Sequence, residues 1–407
     1  MKTVALAGTF DTKREELLYV KQLLEVLGLR VFTIHTGVFE AGAAVDVTNG
    51  AIAEAAGEDM AAIAAQRDRA RATAVLAEGL AVLLPRLYQE KRFDGILSFG
   101  GSGGTALVTP GMRALPIGVP KVMVSTMASG NVAQYVGTSD IIMIPSIVDV
   151  AGLNAISRTI FRNAVLTIGG MLRLSDELPR EQGGKKPLVA ATMFGVTTPC
   201  VNAAREALEQ RGYEVLVFHA TGAGGRTMES LIASGYFKGV LDLTTTEWCD
   251  ELVGGVLAAG PHRSEAAVRA GVPQVVSVGA VDMVNFGAPE TVPEQFTGRN
   301  FYRHNPTVTL MRTTVDENIA IASTLADKLN MAQHPGRTVL LLPKKGVSML
   351  DAEGQAFYGP AEDEALFHTL QEKIDPTKTE IVMMDSHIND KVFAQAAAER
   401  LVQMMEA

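Results

Sequence analysis

The stretch "DGILSFGGSGGTAL", residues 94–107, decides the fold of this chain. A short apolar run gives way at once to four glycines around Ser102, and then to residues of helical character. That is the strand, turn and helix of a βαβ unit, and it places the glycines at the carboxyl end of a parallel strand, where open α/β sheets bind ligands. A tight turn alone needs a single glycine. The bare amides of Gly101 to Gly104, with the hydroxyls of Ser102 and Thr105, suit a nest that receives an anion over a helix start, with a plain tight turn as the alternative.

The same alternation runs along the chain. Residues 3–7, "TVALA", and 30–35, "RVFTIH", read as strands, with an amphipathic helix closed by glycine at 14–28 between them. Helices are expected over 59–90 and 149–172, and strands at 94–99, 121–126 and 141–145. Residues 175–187, "SDELPREQGGKKP", have no apolar period and read as a linker. Beyond it the pattern restarts, with strands at 188–194 and 214–219 around a helix at 198–211. A chain of 407 residues exceeds one ordinary core, so two domains are expected, at 1–178 and 188–407.

The halves repeat weakly. "LGLRVFTIHTG" at 27–37 matches "RGYEVLVFHATG" at 211–222, "RFDGILSF" at 92–99 matches "YFKGVLDL" at 236–243, and "GVPKVMVST" at 118–126 matches "GVPQVVSVG" at 271–279. Gly28 and Gly95 lie 67 positions apart whereas Gly212 and Gly239 lie 27 apart, so the first half carries an insertion near 40–91. The expected fold class is α/β: two Rossmann-like open parallel-sheet domains related by this repeat, with a cleft between them.

A net charge of −9 argues against a nucleic-acid partner. Cys200 and Cys249 are too few for a disulfide framework or a CxxC metal site, and no set of metal ligands is identified. Neither a signal peptide nor an apolar run long enough for a membrane helix is found, so a cytoplasmic location is expected.

The first strand leads into "GTFDTK", residues 8–13, which suits a nucleotide. Gly8 permits the turn, Thr9 and Thr12 offer hydroxyls, Asp11 can orient a ribose or hold a cation, and Lys13 can meet a phosphate; capping of the helix by Asp11 or Thr12 is the plainer alternative. A third loop, "STMASGN" at 125–131, follows the next strand, and the three strand ends are expected to converge on one site.

These loops, together with "YVGTSDIIMIPSIVDVAGLN" at 135–154 and "LLPKKGVSMLDAEGQAFYGPAEDEALF" at 341–367, resemble the ATP-binding amino-terminal domain family of the tomato mosaic virus resistance protein, over essentially the whole chain. The resemblance implies paired Rossmann-like domains, ATP with Mg2+ in the first, and a homodimer. By motif, Gly8, Thr9, Asp11, Thr12 and Lys13, the loop Gly100, Gly101, Ser102, Gly103, Gly104 and Thr105, and Thr126, Met127 and Gly130 would hold the nucleotide. The plant protein continues into a carboxyl-terminal TIM-barrel-like domain where this chain stops, so the resemblance leaves that domain to a separate TIM-barrel-like protein.

In the second half the place of the glycine loop is taken by "LTTTEWCDEL", residues 243–252, which should not bind phosphate in the same manner. Glu247, Asp250, His219 and His304 are the candidate catalytic groups there, and Arg226, Arg299, Arg303 and Lys345 the candidate substrate-binding cations. Structural roles compete at each of these positions. His387 reads as structural. Three functions stay open: an ATP-dependent enzyme acting on a small organic acid or carbohydrate derivative, an ATP-stabilised dimeric interaction module, and a nucleotide-independent hydrolase or aldolase.

Overall fold

The computed structural model describes residues 1–175, 177–178 and 186–407, so most of the expected linker lies outside the described residues. Contacts divide the chain into two compact units, Met1–Gly183 and Gly184–Ala407.

The first unit is built on β1 (Thr3–Gly8), β2 (Arg30–His35), β3 (Gly95–Gly100), β4 (Lys121–Ser125) and β5 (Ile142–Pro145), in the order β2-β1-β3-β4-β5 with every pairing parallel. Every residue of β1, β3 and β4 is buried, which explains their unbroken apolar runs: a parallel sheet is covered on both faces. Alternate residues divide between two cores. Ala5, Ala7, Ile96 and Met123 pack with the helices Arg69–Gln89 and Ser102–Arg113, while Val4, Leu6, Leu97 and Phe99 pack with Arg14–Val26 and Ala155–Leu174.

Two helices differ from the sequence expectation. The long helix expected over 59–90 is broken into Met60–Ala65 and Arg69–Gln89, because Arg67 adopts a left-handed φ of 54° and the Asp68 carboxylate accepts from the Ala70 and Arg71 amides. The helix expected from 149 starts at Ala155, where Asn154 and Ser157 form a capping box.

The second unit holds β6 (Leu188–Met193), β7 (Glu214–His219), β8 (Gly239–Thr244), β9 (Gln274–Gly279), β10 (Met283–Phe286), β11 (Phe301–Asn305), β12 (Val308–Arg312), β13 (Thr338–Pro343) and β14 (Glu380–Met384). Six of these form a parallel sheet in the order β14-β13-β9-β8-β6-β7, and β10-β12-β11 form a small antiparallel sheet that the sequence reading did not anticipate.

The three repeat matches fall on β2 and β7, β3 and β8, and β4 and β9, and each pair occupies the same place in its sheet. In both units the strand order reverses beside the first strand, between β1 and β3 and between β6 and β8, which is where sheets of this kind bind ligands. No helix among the described residues is long and apolar enough to cross a membrane.

Candidate functional site

A cavity of about 690 Å³ opens in the first unit beside this reversal, within the size range of small-molecule sites. The loop after β1 supplies Thr9, Asp11 and Thr12; the loop after β2 supplies Thr36, Gly37, Val38 and Phe39; the loop after β3 supplies Gly103 and Gly104. The far wall comes from the insertion, with Ile63, Arg67, Asp68, Arg69 and Ala72.

The glycines of the third of these loops separate by cause. A Cβ on Gly100 would lie 3.2 Å from the Gly104 backbone, so Gly100 serves the turn itself. Gly104 would meet nothing nearer than 4.0 Å, and Gly103 would meet only the flexible end of Arg69 at 3.3 Å. Neither has a positive φ, so neither backbone conformation nor packing demands glycine there. Both face the cavity at the start of the helix Ser102–Arg113, whose first turn has no side-chain cap. Unclaimed amides and a positive dipole end are thus turned toward the same space as Arg67 and Arg69.

His35 fixes the neighbouring loop. Its Nδ1 accepts from the Phe10 and Gly37 amides at 3.2 and 3.4 Å, which places the proton on Nε2, 2.7 Å from the Phe39 carbonyl. From the insertion, Asn49 Nδ2 donates to the carbonyls of Gly37, Val38 and Phe39. Phe39 is thereby held, 68% exposed, at the cavity. Thr36 is 1% exposed, and its Oγ1 has no hydrogen-bond partner among the described residues. Asp11 accepts no helix amide as a cap: its Oδ2 accepts from the Phe39 amide at 3.1 Å, and its buried Oδ1 is unpartnered. Only glycine at 37 leaves room for that carboxylate, since a Cβ would lie 2.2 Å from Oδ1.

Several expected nucleotide contacts are reassigned. Lys13 turns its ammonium to the Val150 carbonyl and does not line the cavity. Thr105 is fully buried, bonded to the Gly101 carbonyl at 2.8 Å and the Ser125 hydroxyl at 2.6 Å, so its hydroxyl is not open to a ligand. Gly8 is explained by packing, because a Cβ would lie 2.7 Å from Leu17. Gly101 is the N-cap of the glycine-loop helix and Ser102 is exposed at its start, outside the cavity lining. The third loop does not join the first two: Thr126 lines a different cavity, of about 520 Å³, with Ser146, Ile147 and Asp149, while Met127 and Gly130 close a turn between the Met127 carbonyl and the Gly130 amide.

The second unit's candidates are largely spent on structure. Glu247 is 1% exposed; its Oε2 lies 2.7 Å from Arg263 Nε and its Oε1 accepts from the Gly222 and Gly225 amides. Arg263, also buried, holds Asp242 through two bonds of 2.6 Å and Glu229 at 3.0 Å. Asp250 accepts from the amides of Leu257 and Asn285 and from Asn285 Nδ2, tying β10 to its own helix; burial pushes its carboxyl up to about 7. Both acids therefore act as scaffold rather than as exposed catalytic groups.

Arg299 is committed to Glu317 at 2.9 and 2.7 Å, and Arg226 to the Ala258 carbonyl at 2.7 Å. Arg303 and His304 stand exposed on β11, and His219 stands exposed at the end of β7 against the Phe194 ring, 5.4 Å away. Lys345 pairs with Asp385 at 3.1 Å. His387 is structural, its Nε2 bonded to the Ser348 carbonyl at 2.9 Å. The sequence reading missed Arg67, Arg69, Thr36 and Phe39, and it named Glu247 without Arg263 and Asp242, with which it clusters. For the two cavity arginines a signal existed, since they lie in the insertion that the repeat exposes.

Comparison with known proteins agrees with the two-unit division. Residues 2–177 match the N-terminal domain, and residues 186–405 the C-terminal domain, of the uncharacterised protein family UPF0261. A UPF0261 protein of Clostridium tetani is 53% identical over 406 residues, covering 100% of this chain and 99% of that protein. The ToMV resistance protein Tm-1(GCR237) of Solanum lycopersicum is 44% identical over 339 residues, covering 83% of this chain but only 45% of that protein. Among solved structures, UDP-N-acetylglucosamine 2-epimerase from Rickettsia bellii aligns at 10% identity over 68% of this chain and 78% of that one, with a TM-score of 0.22, too slight a likeness to bear on function. The expectation of a chain without the carboxyl-terminal TIM-barrel-like domain is not borne out as a missing domain of the family, since residues 186–405 match the family's C-terminal domain. With both of its domain models matched end to end and a relative 53% identical along the full length, the chain belongs to the UPF0261 family.

Proposed function

We propose that the first unit binds ATP with magnesium in the cavity beside the β1/β3 reversal. The observation that carries this reading is the pair Gly103 and Gly104, which nothing in the fold requires and which turn bare amides into the cavity. In this reading the phosphates lie on the helix start, with Arg67 and Arg69 opposite, and the base lies against Phe39, Val38 and Ile63. Asp11, with its unpartnered Oδ1, would share the magnesium ion with phosphate and water, and the ion would offset phosphate charge. The left-handed backbone of Arg67, a strain of about 1 kcal/mol in a residue that lines the cavity, supports a ligand-directed role for the insertion. The nucleotide-independent reading draws no support from this geometry.

Thermal unfolding with and without MgATP tests the proposal. Saturating nucleotide at 100 times its Kd should stabilise the unit by about 2.7 kcal/mol. Gly103→Val should remove that stabilisation while the fold persists, because the displaced neighbour is only a side-chain end. No stabilisation of the native chain by ATP, ADP or AMP, or an unchanged affinity in the variant, would overturn it.

A further inference from the structure

The second unit has a cavity of about 730 Å³ at the carboxyl ends of β13 and β14, lined among others by Lys344, Lys345, Glu353, Tyr358, Asp363 and His368. It lies entirely within one unit and does not depend on the nucleotide reading. The chain leaves β13 through Gly346, whose φ of 121° and whose Cβ position, 1.8 Å from the Asp351 carbonyl, admit no other residue. That turn holds the two lysines at the strand end and brings Asp351 beneath them.

Behind the cavity wall a single guanidinium serves two carboxylates. Arg312 Nη2 lies 3.1 Å from Asp363 and 3.4 Å from Asp351 and also donates to the Gly359 carbonyl, while Nε and Nη1 donate to the Phe357 carbonyl and the Thr313 hydroxyl. Asp351 is also claimed by the Val347 and Gly359 amides, so it keeps its charge more readily than its neighbour. Asp363, which alone of the two reaches the cavity, is pushed up to about 8 by burial and by the Asp351 charge.

The rest of the lining has both signs of charge on an apolar floor. Lys344 has no partner for its ammonium among the described residues, whereas Lys345 is held by Asp385. Glu353 and Glu364 face the same space, over Phe367 and Met383. We propose that this cavity binds a small organic acid that also carries hydroxyl or amino groups, with the acid group received by Lys344 and the polar groups by Glu353 and the Asp363 carboxyl. Neither a bare inorganic anion nor a purely apolar molecule satisfies such a lining.

Calorimetric titration of the full chain with malate, aspartate, succinate and inorganic phosphate, against sodium chloride of equal ionic strength, decides the matter. Malate or aspartate should bind saturably and more tightly than succinate or phosphate. Lys344→Ala, an exposed position, should weaken that binding about tenfold, the weight of one charge-assisted contact. Glu353→Gln should narrow the gap between malate and succinate. The proposal is overturned if no acid binds above the salt control, if phosphate binding that is lost in Lys344→Ala is as tight as that of malate, or if Lys344→Ala binds like the native chain.

Discussion

Replacing Arg263 by leucine separates a scaffold from a catalytic centre. Arg263 is 1% exposed and is the only cation bonded to Asp242, Glu247 and Glu229 among the described residues. Without it Glu247 retains the Gly222 and Gly225 amides, and Glu229 retains those of Ser264 and Ala266, but Asp242 keeps a single neutral donor, the Thr192 hydroxyl. The uncompensated charge therefore falls on Asp242, and Arg263→Leu should cost about 3–5 kcal/mol, the range for a buried pair that loses one partner. With a urea dependence of about 3 kcal/mol/M for a unit of this size, the unfolding midpoint should fall by roughly 1–1.7 M. Trp248, the one tryptophan of the chain, is buried beside the cluster with its Nε1 3.3 Å from the Ser264 hydroxyl, so its fluorescence reports on the second unit alone. Adding Asp242→Leu to Arg263→Leu should recover part of the loss, since an apolar pair replaces a buried ion pair more cheaply than a lone carboxylate does. A midpoint shift below about 0.3 M would refute the reasoning, because it would mean that the carboxylates reach water or protonate without cost.

Two further outcomes follow from the same geometry. Gly37→Ala should displace the Asp11 carboxylate and weaken MgATP binding more than magnesium-free ATP binding in titrations, because the added Cβ would lie 2.2 Å from Oδ1. Asp250, whose folded carboxyl sits at about 7 through burial, binds more protons folded than unfolded between its two pKa values. Its contribution to stability therefore falls as pH rises from about 4 to about 7 and is level above that. Asp250→Asn should flatten this slope in urea titrations followed by Trp248 fluorescence, with the unpartnered Asn285 Oδ1 available to accept from the new amide after a side-chain flip; an unchanged slope would show that Asp250 is not its source.

The sequence by itself determined β1 to β9 and their order along the chain, but not the antiparallel β10, β11 and β12. Unbroken apolar runs mark strands buried on both faces, glycine and capping residues mark where they end, and the repeat locates β2, β3 and β4 and their counterparts β7, β8 and β9. It also placed the glycine loop at a strand's carboxyl end, since that follows from local order alone. Which hydroxyls and charges remain free was decided only by tertiary structure. Lys13 is taken by a carbonyl 137 positions away, Glu247 by an arginine 16 positions on, and Arg263 reaches Glu229 across 34 positions. The break in the helix over 59–90 did leave a local mark, the polar run Gln66 to Arg69 with Asp68 as N-cap, but apolar periodicity does not encode the left-handed φ of Arg67. Periodicity encodes which face of an element is buried. The partner of a buried charge depends instead on segments far apart in sequence, and it is that pairing which separates Gly103 and Gly104, open to a ligand, from Glu247 and Asp250, bound within the core.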